Sequence, residues 1–303
     1  DIDADPGKPP LPVGGFEHAG IKTCMGQYGT HSYFQSDVRA VGRVSWGAFE
    51  DEVIGDAGWI DRQWTPRHLG VYQGLRSRRY RHEWRQLHLD NGFEMSVWQH
   101  FDRRRHNRLI PFSGATAADP SGQVSATSDV QIDRLSFVRD PGAVRPRLSI
   151  TDGAKYFTDN YRLRIPTWEL DVFSEPLVPA PAHAFPIEYW SGPTRLHGTM
   201  LGQIVTGFGF HERTHVFVRD FELVDVLRSS LQALPADAFS SNGPTTLALA
   251  DMVWEIDAFL SRGGRTEARR HLADRVRPLL QRLHPTVRDH FLAVAADLDA
   301  TLT

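Results

Sequence analysis

Gly58-Trp59-Ile60-Asp61-Arg62-Gln63-Trp64 is the stretch that decides how this chain is read. It closes a β-rich run, Asp56–Trp64. Side chains on a strand alternate between faces. Trp59, Asp61 and Gln63 therefore share one face, and Ile60, Arg62 and Trp64 the other. A carboxyl flanked by an indole and an amide can line a cavity. Partial burial there would favour its protonated form and make Asp61 a general acid. The plainer reading is an ion pair with a neighbouring arginine, or a turn-capping carboxylate.

Similar runs surround it. His31–Val38, Ala40–Phe49, Tyr80–Leu89, Phe93–Phe101, Tyr161–Val172, Ile187–Trp190 and Gln203–His211 all read as strands separated by Gly- and Pro-containing turns. Asp90-Asn91-Gly92 sits between two of them, and an Asn-Gly pair in that setting is the strongest short hairpin signal. From about Val218 the period becomes helical. Leu249, Met252, Val253, Ile256, Phe259 and Leu260 make one face, Leu272, Val276, Leu279, Leu280 and Leu283 a second, and Val287, Phe291, Val294, Ala295, Leu298 and Leu302 a third. Pro278 falls inside the second pattern and should kink or split it.

The chain has 303 residues, is 41% hydrophobic and carries a net charge of -3, so it can bury a large core and has no global field for nucleic acid. One cysteine, Cys24, excludes an internal disulfide framework. No run approaches the ~18 apolar residues of a membrane span. The expected compartment is the cytoplasm, with secretion or a periplasmic location open because the chain starts at Asp1 and a leader could have been removed.

Four motifs follow one another. After Gly58–Trp64 comes Trp84-Arg-Gln-Leu-His-Leu-Asp-Asn-Gly92, with Trp98 closing the next strand. Then come Glu188-Tyr189-Trp190-Ser191-Gly192 and Val205-Thr-Gly-Phe-Gly-Phe210-His-Glu212. This order, over roughly residues 28 to 213, resembles the lipocalin-like superfamily of AttH and carotenoid 1,2-hydratase. That superfamily includes kievitone hydratase and lipocalin-fold Diels-Alderases. Its members carry W-x-D-x-x-W-like, W-x-x-x-x-L-D-D-G, Y-W-E-G and G-x-G-Y-x-E segments. Here Ser191 replaces the acid of the third and Phe210 the tyrosine of the fourth, and only about 55 residues precede the first.

The resemblance implies a mainly β fold: two lipocalin-like antiparallel barrels or sheets, the first abbreviated, followed by an α-helical appendage. The expected divisions are 1–75, 76–217 and 218–303. It also implies a hydrophobic, isoprenoid- or polyketide-like small molecule of secondary metabolism, such as a terpenoid, as ligand. Asp61 would donate a proton, and hydration or cyclisation would follow. The expected binding residues are Trp59, Gln63, Trp64, Trp84, Trp98, Glu188, Tyr189, Trp190, Phe210 and Glu212. A pericyclase, which mainly folds its substrate, and a non-catalytic carrier are the alternatives. No cofactor and no metal are expected. The helical tail could cap a barrel mouth, cover an open sheet edge, or form a homodimer interface.

Two other signals lead elsewhere. His211-Glu212-Arg213-Thr214-His215 spells the zinc-protease motif, but that chemistry needs a helix to bring the histidines to about 6 Å. On a strand they would lie about 13 Å apart. Arg76-Ser-Arg-Arg-Tyr-Arg81 and Arg103–Arg105 read as solvated loops balanced by Glu83, Glu94 and Asp102 rather than as an anion patch.

Overall fold

A computed structural model describes residues 2–14, 21–22, 30–64, 80–110, 113–140, 155–178, 182–183, 189–214, 219–235, 237–239 and 245–303. The fold is mainly β with C-terminal helices. The strands are β1 (Ile2–Pro6), β2 (Leu11–Pro12), β3 (Ile21–Lys22), β4 (Thr30–Trp46), β5 (Phe49–Trp64), β6 (Tyr80–Leu89), β7 (Glu94–Asp102), β8 (Arg108–Leu109), β9 (Gly114–Ala118), β10 (Val124–Thr127), β11 (Gln131–Arg134), β12 (Phe137–Asp140), β13 (Lys155–Thr158), β14 (Tyr161–Ile165), β15 (Leu170–Pro176), β16 (Ala182–His183), β17 (Tyr189–Met200) and β18 (Gln203–Thr214). The chain forms two compact units. One comprises Asp1–Ile132, Leu163–Pro181 and Tyr189–His215; the other comprises Asp133–Arg162, Ala182–Glu188 and Val216–Thr303.

The first unit holds two sheets. In the smaller, β4 is central, with β5 along one edge and β1, β2 and β3 along the other. The run read as His31–Val38 and that read as Ala40–Phe49, as far as Trp46, are one strand; Phe49 opens β5. Asp37 has a positive φ of 53°, and the pairing with β5 shifts register on either side of Val38, so a bulge bends β4 without ending it.

The larger sheet is antiparallel and curled, running β10–β9–β7–β6–β18–β17–β15–β14. Asp90-Asn91-Gly92 does close the β6–β7 hairpin: the Gly92 amide donates to the Leu89 carbonyl at 2.9 Å, and Gly92 takes a φ of +83° that favours glycine. Tyr161–Val172 is not one strand, because Pro166–Trp168 makes a 3-10 turn between β14 and β15. Proline lacks the amide hydrogen that would continue the ladder.

Alternation gives the larger sheet two distinct faces. Leu87, Leu89, Met95, Val97, Ala115, Ala117, Leu196 and Val205 lie on one face and are buried. At one end of that same face, Glu83 accepts from Arg85 at 2.8 Å and lies 3.4 Å from Arg213 and 3.6 Å from Arg81. Arg81 also stacks 4.6 Å over the Phe101 ring. The basic runs are thus not wholly solvated: Arg81 and Arg103 are each 1% exposed. Strand parity turns Arg81 to the same side as Arg85, into a buried ion network.

The second unit joins the β12–β13 hairpin to helices α1 (Asp220–Gln232), α2 (Thr246–Leu260), α3 (Arg265–His271), α4 (Arg277–Leu280) and α5 (Pro285–Leu302). The three apolar faces read from the sequence meet in one core, with Phe137 and Tyr156 of the hairpin packed into it. Pro278 acts as expected: a π-helical turn, Leu272–Val276, separates α3 from α4 and makes room for a ring that cannot donate to the preceding turn.

Candidate functional site

The other face of the larger sheet meets the smaller sheet. Its residues on β6 are His82, Trp84, Gln86 and His88. One register row crosses four adjacent strands here: Trp98, Trp84, Glu212 and Ser191. Residues from three of the four sequence motifs thus lie side by side. The neighbouring row contains Ser96, Gln86, Phe210 and Pro193.

The smaller sheet supplies the remaining motif. Trp59 packs 4.9 Å from Phe210 and 6.4 Å from Trp84, and Phe34 stacks on Trp84 at 4.2 Å. Val13, Phe34, Trp84 and Trp98 form the buried part of this seam, with Trp59 and Phe210 half-buried at its side. Trp84 donates from Nε1 to Ser96 Oγ at 2.9 Å, and Thr116 Oγ1 donates to the Pro12 carbonyl at 2.8 Å. The seam is therefore pinned by polar contacts as well as packed.

Asp61 and Gln63 do share the face of Trp59, since β5 is a strand throughout. Asp61 is the register partner of Phe34, and Gln63 that of Ser32. Both are exposed, however: among the described residues β5 pairs with β4 alone, and the seam ends at Trp59. Glu212 is the carboxylate nearest the aromatic row. It is half-buried and lies 3.3 Å from His82 Nε2, whose ring centroid is 6.1 Å from that of His100. Trp190 is buried on the opposite face, edge-on to His211 at 4.9 Å. Glu188 and the side chains of Trp64 and Tyr189 lie outside the described residues.

His211 and Glu212 are consecutive on β18 and so point to opposite faces, which removes the helical geometry that a zinc-protease site requires. Among the described residues no cluster of three His, Cys, Asp or Glu side chains is placed to hold a metal ion.

Sequence reasoning missed Phe34, His82 and Gln86. The signal was available: the alternation applied to Asp61, applied to Trp84, selects His82, Gln86 and His88. Gln86 is 3% exposed, and neither atom of its amide has a protein partner among the described residues. Two residues along β18 from Phe210, about 7 Å, the same face opens into a hollow of about 410 Å³ floored by Phe208. That volume falls in the small-molecule range.

The chain matches the family described as AttH-like over residues 1–214. Its fold is similar to a crystal structure of an AttH protein from Nitrosomonas europaea, with 18% identity, a TM-score of 0.51, and coverage of 70% of this chain and 60% of that one. It is also similar to kievitone hydratase from Nectria haematococca, with 16% identity, a TM-score of 0.50, and coverage of 71% and 60%. The chain thus spans 60% of the length of each of these structures, and the likeness is one of fold. No curated protein matches it.

Proposed function

The chain belongs to the AttH-like family, and from that premise and the geometry of the seam we propose that it binds a hydrophobic, alkene-bearing small molecule and catalyses its acid-initiated hydration or cyclisation. The observation that carries this reading is the row Trp98, Trp84, Glu212, with His82 hydrogen-bonded behind the carboxylate. An aromatic wall beside a half-buried acid is what protonation of a carbon–carbon double bond needs.

In the proposed reaction the acid gives its proton to one alkene carbon and the other becomes cationic. The faces of Trp59 and Phe210, half-buried at the side of the seam, stabilise that cation, at about 0.5–2 kcal/mol per ring. Water then adds and returns a proton to the carboxylate, with His82 placed to relay it. Attack by an internal alkene instead, followed by proton loss, gives a ring. Glu212 is the proton donor in this scheme. Asp61, exposed at the rim, is placed to meet the entering molecule or the attacking water. Kievitone hydratase, a fold neighbour, is by its name a hydratase.

The test is incubation of the purified protein with linear isoprenoid alkenes in heavy-oxygen water, followed by mass spectrometry. Gain of one labelled water, or a ring isomer of unchanged mass, lost in Glu212→Gln, supports the reading. A product formed at a partly reduced rate in Glu212→Gln points to a pericyclase. An apolar molecule bound and recovered unchanged points to a carrier.

A further inference from the structure

The hollow beside the seam has a chemical bias of its own. Its row across the sheet is His88, Phe208, Arg195. Phe208 is 57% exposed, an unusual state for a phenylalanine in the middle of a sheet. It forms an apolar floor with a basic residue on the strand to either side. Arg195 makes no ion pair among the described residues. His88 is held in place by a hydrogen bond to the buried Glu94 carboxylate.

The acids around the hollow do not neutralise Arg195. Asp90 accepts from the Thr206 amide at 3.1 Å and from its hydroxyl at 2.7 Å, so it is turned to the β18 backbone. Glu94 is engaged by His88. Glu175, the register partner of Arg195 on β15, is exposed and makes no ion pair with it. Asp37 and Lys8 also act on His88, in opposite directions. Between hollow and seam stands Gln86, buried and without a protein partner among the described residues, on the same face as His88. A buried amide with neither atom bonded is costly unless something else satisfies it.

We propose that the ligand is an amphipathic anion. Its carboxylate or phosphate would lie in the hollow against Arg195 and His88, with Gln86 as a further donor, and its apolar body would run over Phe208 to Phe210 and Trp59. This deepens the reading of the seam as an apolar binding site and rests on it. It adds a polarity: the charged end lies towards Phe208 and the reacting alkene towards Glu212.

Retinol and all-trans-retinoic acid share one apolar body and differ at the head, so they separate the two claims. Binding is followed by quenching of tryptophan fluorescence on the full chain. Retinoic acid should bind roughly tenfold tighter than retinol, the scale of one charge-assisted contact. Arg195→Gln should remove that preference by weakening the acid alone, and Gln86→Leu should weaken the acid more than the alcohol. Arg195 is exposed, so its replacement leaves the core intact. Equal affinity for both retinoids, or unchanged acid binding in Arg195→Gln, overturns this inference and leaves the apolar seam standing. Binding of neither retinoid overturns the seam itself, and this inference with it.

Discussion

Glu212 lies directly across from Trp84 on neighbouring antiparallel strands, so a carboxylate and an indole that are 128 positions apart in sequence share one row of one face. Asp61 stands in a different position, exposed on β5. The two acids should therefore behave differently when neutralised. Asp61→Asn should leave stability within about 0.5 kcal/mol of the parent, as surface substitutions usually do. Glu212→Gln loses the negative charge beside His82 and should cost about 1–3 kcal/mol. Urea unfolding of both variants checks this, and equal effects would mean that the two carboxylates see the same environment.

The Phe34–Trp84 stack is the main aromatic contact between the two sheets of the first unit. Phe34 is 4% exposed, and its ring lies 20° from parallel with Trp84. Phe34→Ala should cost about 3–5 kcal/mol, the range for a buried phenylalanine, and should red-shift tryptophan emission by wetting Trp84. A loss below 1 kcal/mol would show that the smaller sheet contributes little to the unit.

Much of this was legible because alternation and turn chemistry are local. The Asn91-Gly92 hairpin, the shared face of Trp59, Asp61 and Gln63, the helical faces and the break at Pro278 all follow from neighbouring residues. What was not legible depends on which strands become neighbours. Asp61 is exposed because nothing described covers the outer edge of β5, and no local pattern states that. Arg81 reads as part of a basic loop, yet it is buried because β6 pairs with β18 and places Arg213 and Glu83 beside it. Glu212 faces Trp84 for the same reason. Register between distant strands, set by the whole sheet, decided the site.

Glu83 lies within ion-pair distance of Arg81, Arg85 and Arg213, and all four side chains are 0% exposed. Removing a buried counter-charge leaves the partners uncompensated, which typically costs about 3–5 kcal/mol. Glu83→Gln should approach that loss, while Glu83→Asp should recover part of it. Chemical denaturation reads both. A neutral Glu83→Gln would mean that the arginines are satisfied by other groups.

His88 should make stability depend on pH near neutrality. Its hydrogen bond to Glu94 outweighs desolvation and holds its pKa above the ordinary 6.5. The folded protein therefore keeps this proton to higher pH than the unfolded chain does. The stabilisation is complete below about pH 6.5 and is lost as pH rises through the raised folded value. Thermal midpoints taken from about pH 6 to 9 should fall more in the parent than in His88→Gln. Parallel curves would count against the pair.

The second unit should respond to acid instead. Asp297 on α5 accepts from Arg139 at 2.7 and 2.9 Å and from the Tyr156 hydroxyl at 2.5 Å, fastening the β12–β13 hairpin to the helix. Burial pushes the Asp297 carboxyl up, but the hydrogen bonds from Arg139 and Tyr156 overcome this and hold it below the ordinary 3.8. Burial, with the Asp297 contact next in weight, pushes the Tyr156 hydroxyl well above its usual range, so it remains a donor at any working pH. A depressed carboxyl contributes stability that is complete above about pH 3.8 and is lost as pH falls through its folded value. Asp297→Asn should therefore lower the thermal midpoint at neutral pH and shrink its fall between about pH 4 and 2. Tyr156→Phe should show a smaller version of both effects, because the two bonds from Arg139 survive. If Asp297→Asn keeps the acid transition of the parent, other carboxylates govern acid unfolding, and the clamp serves only to position the hairpin.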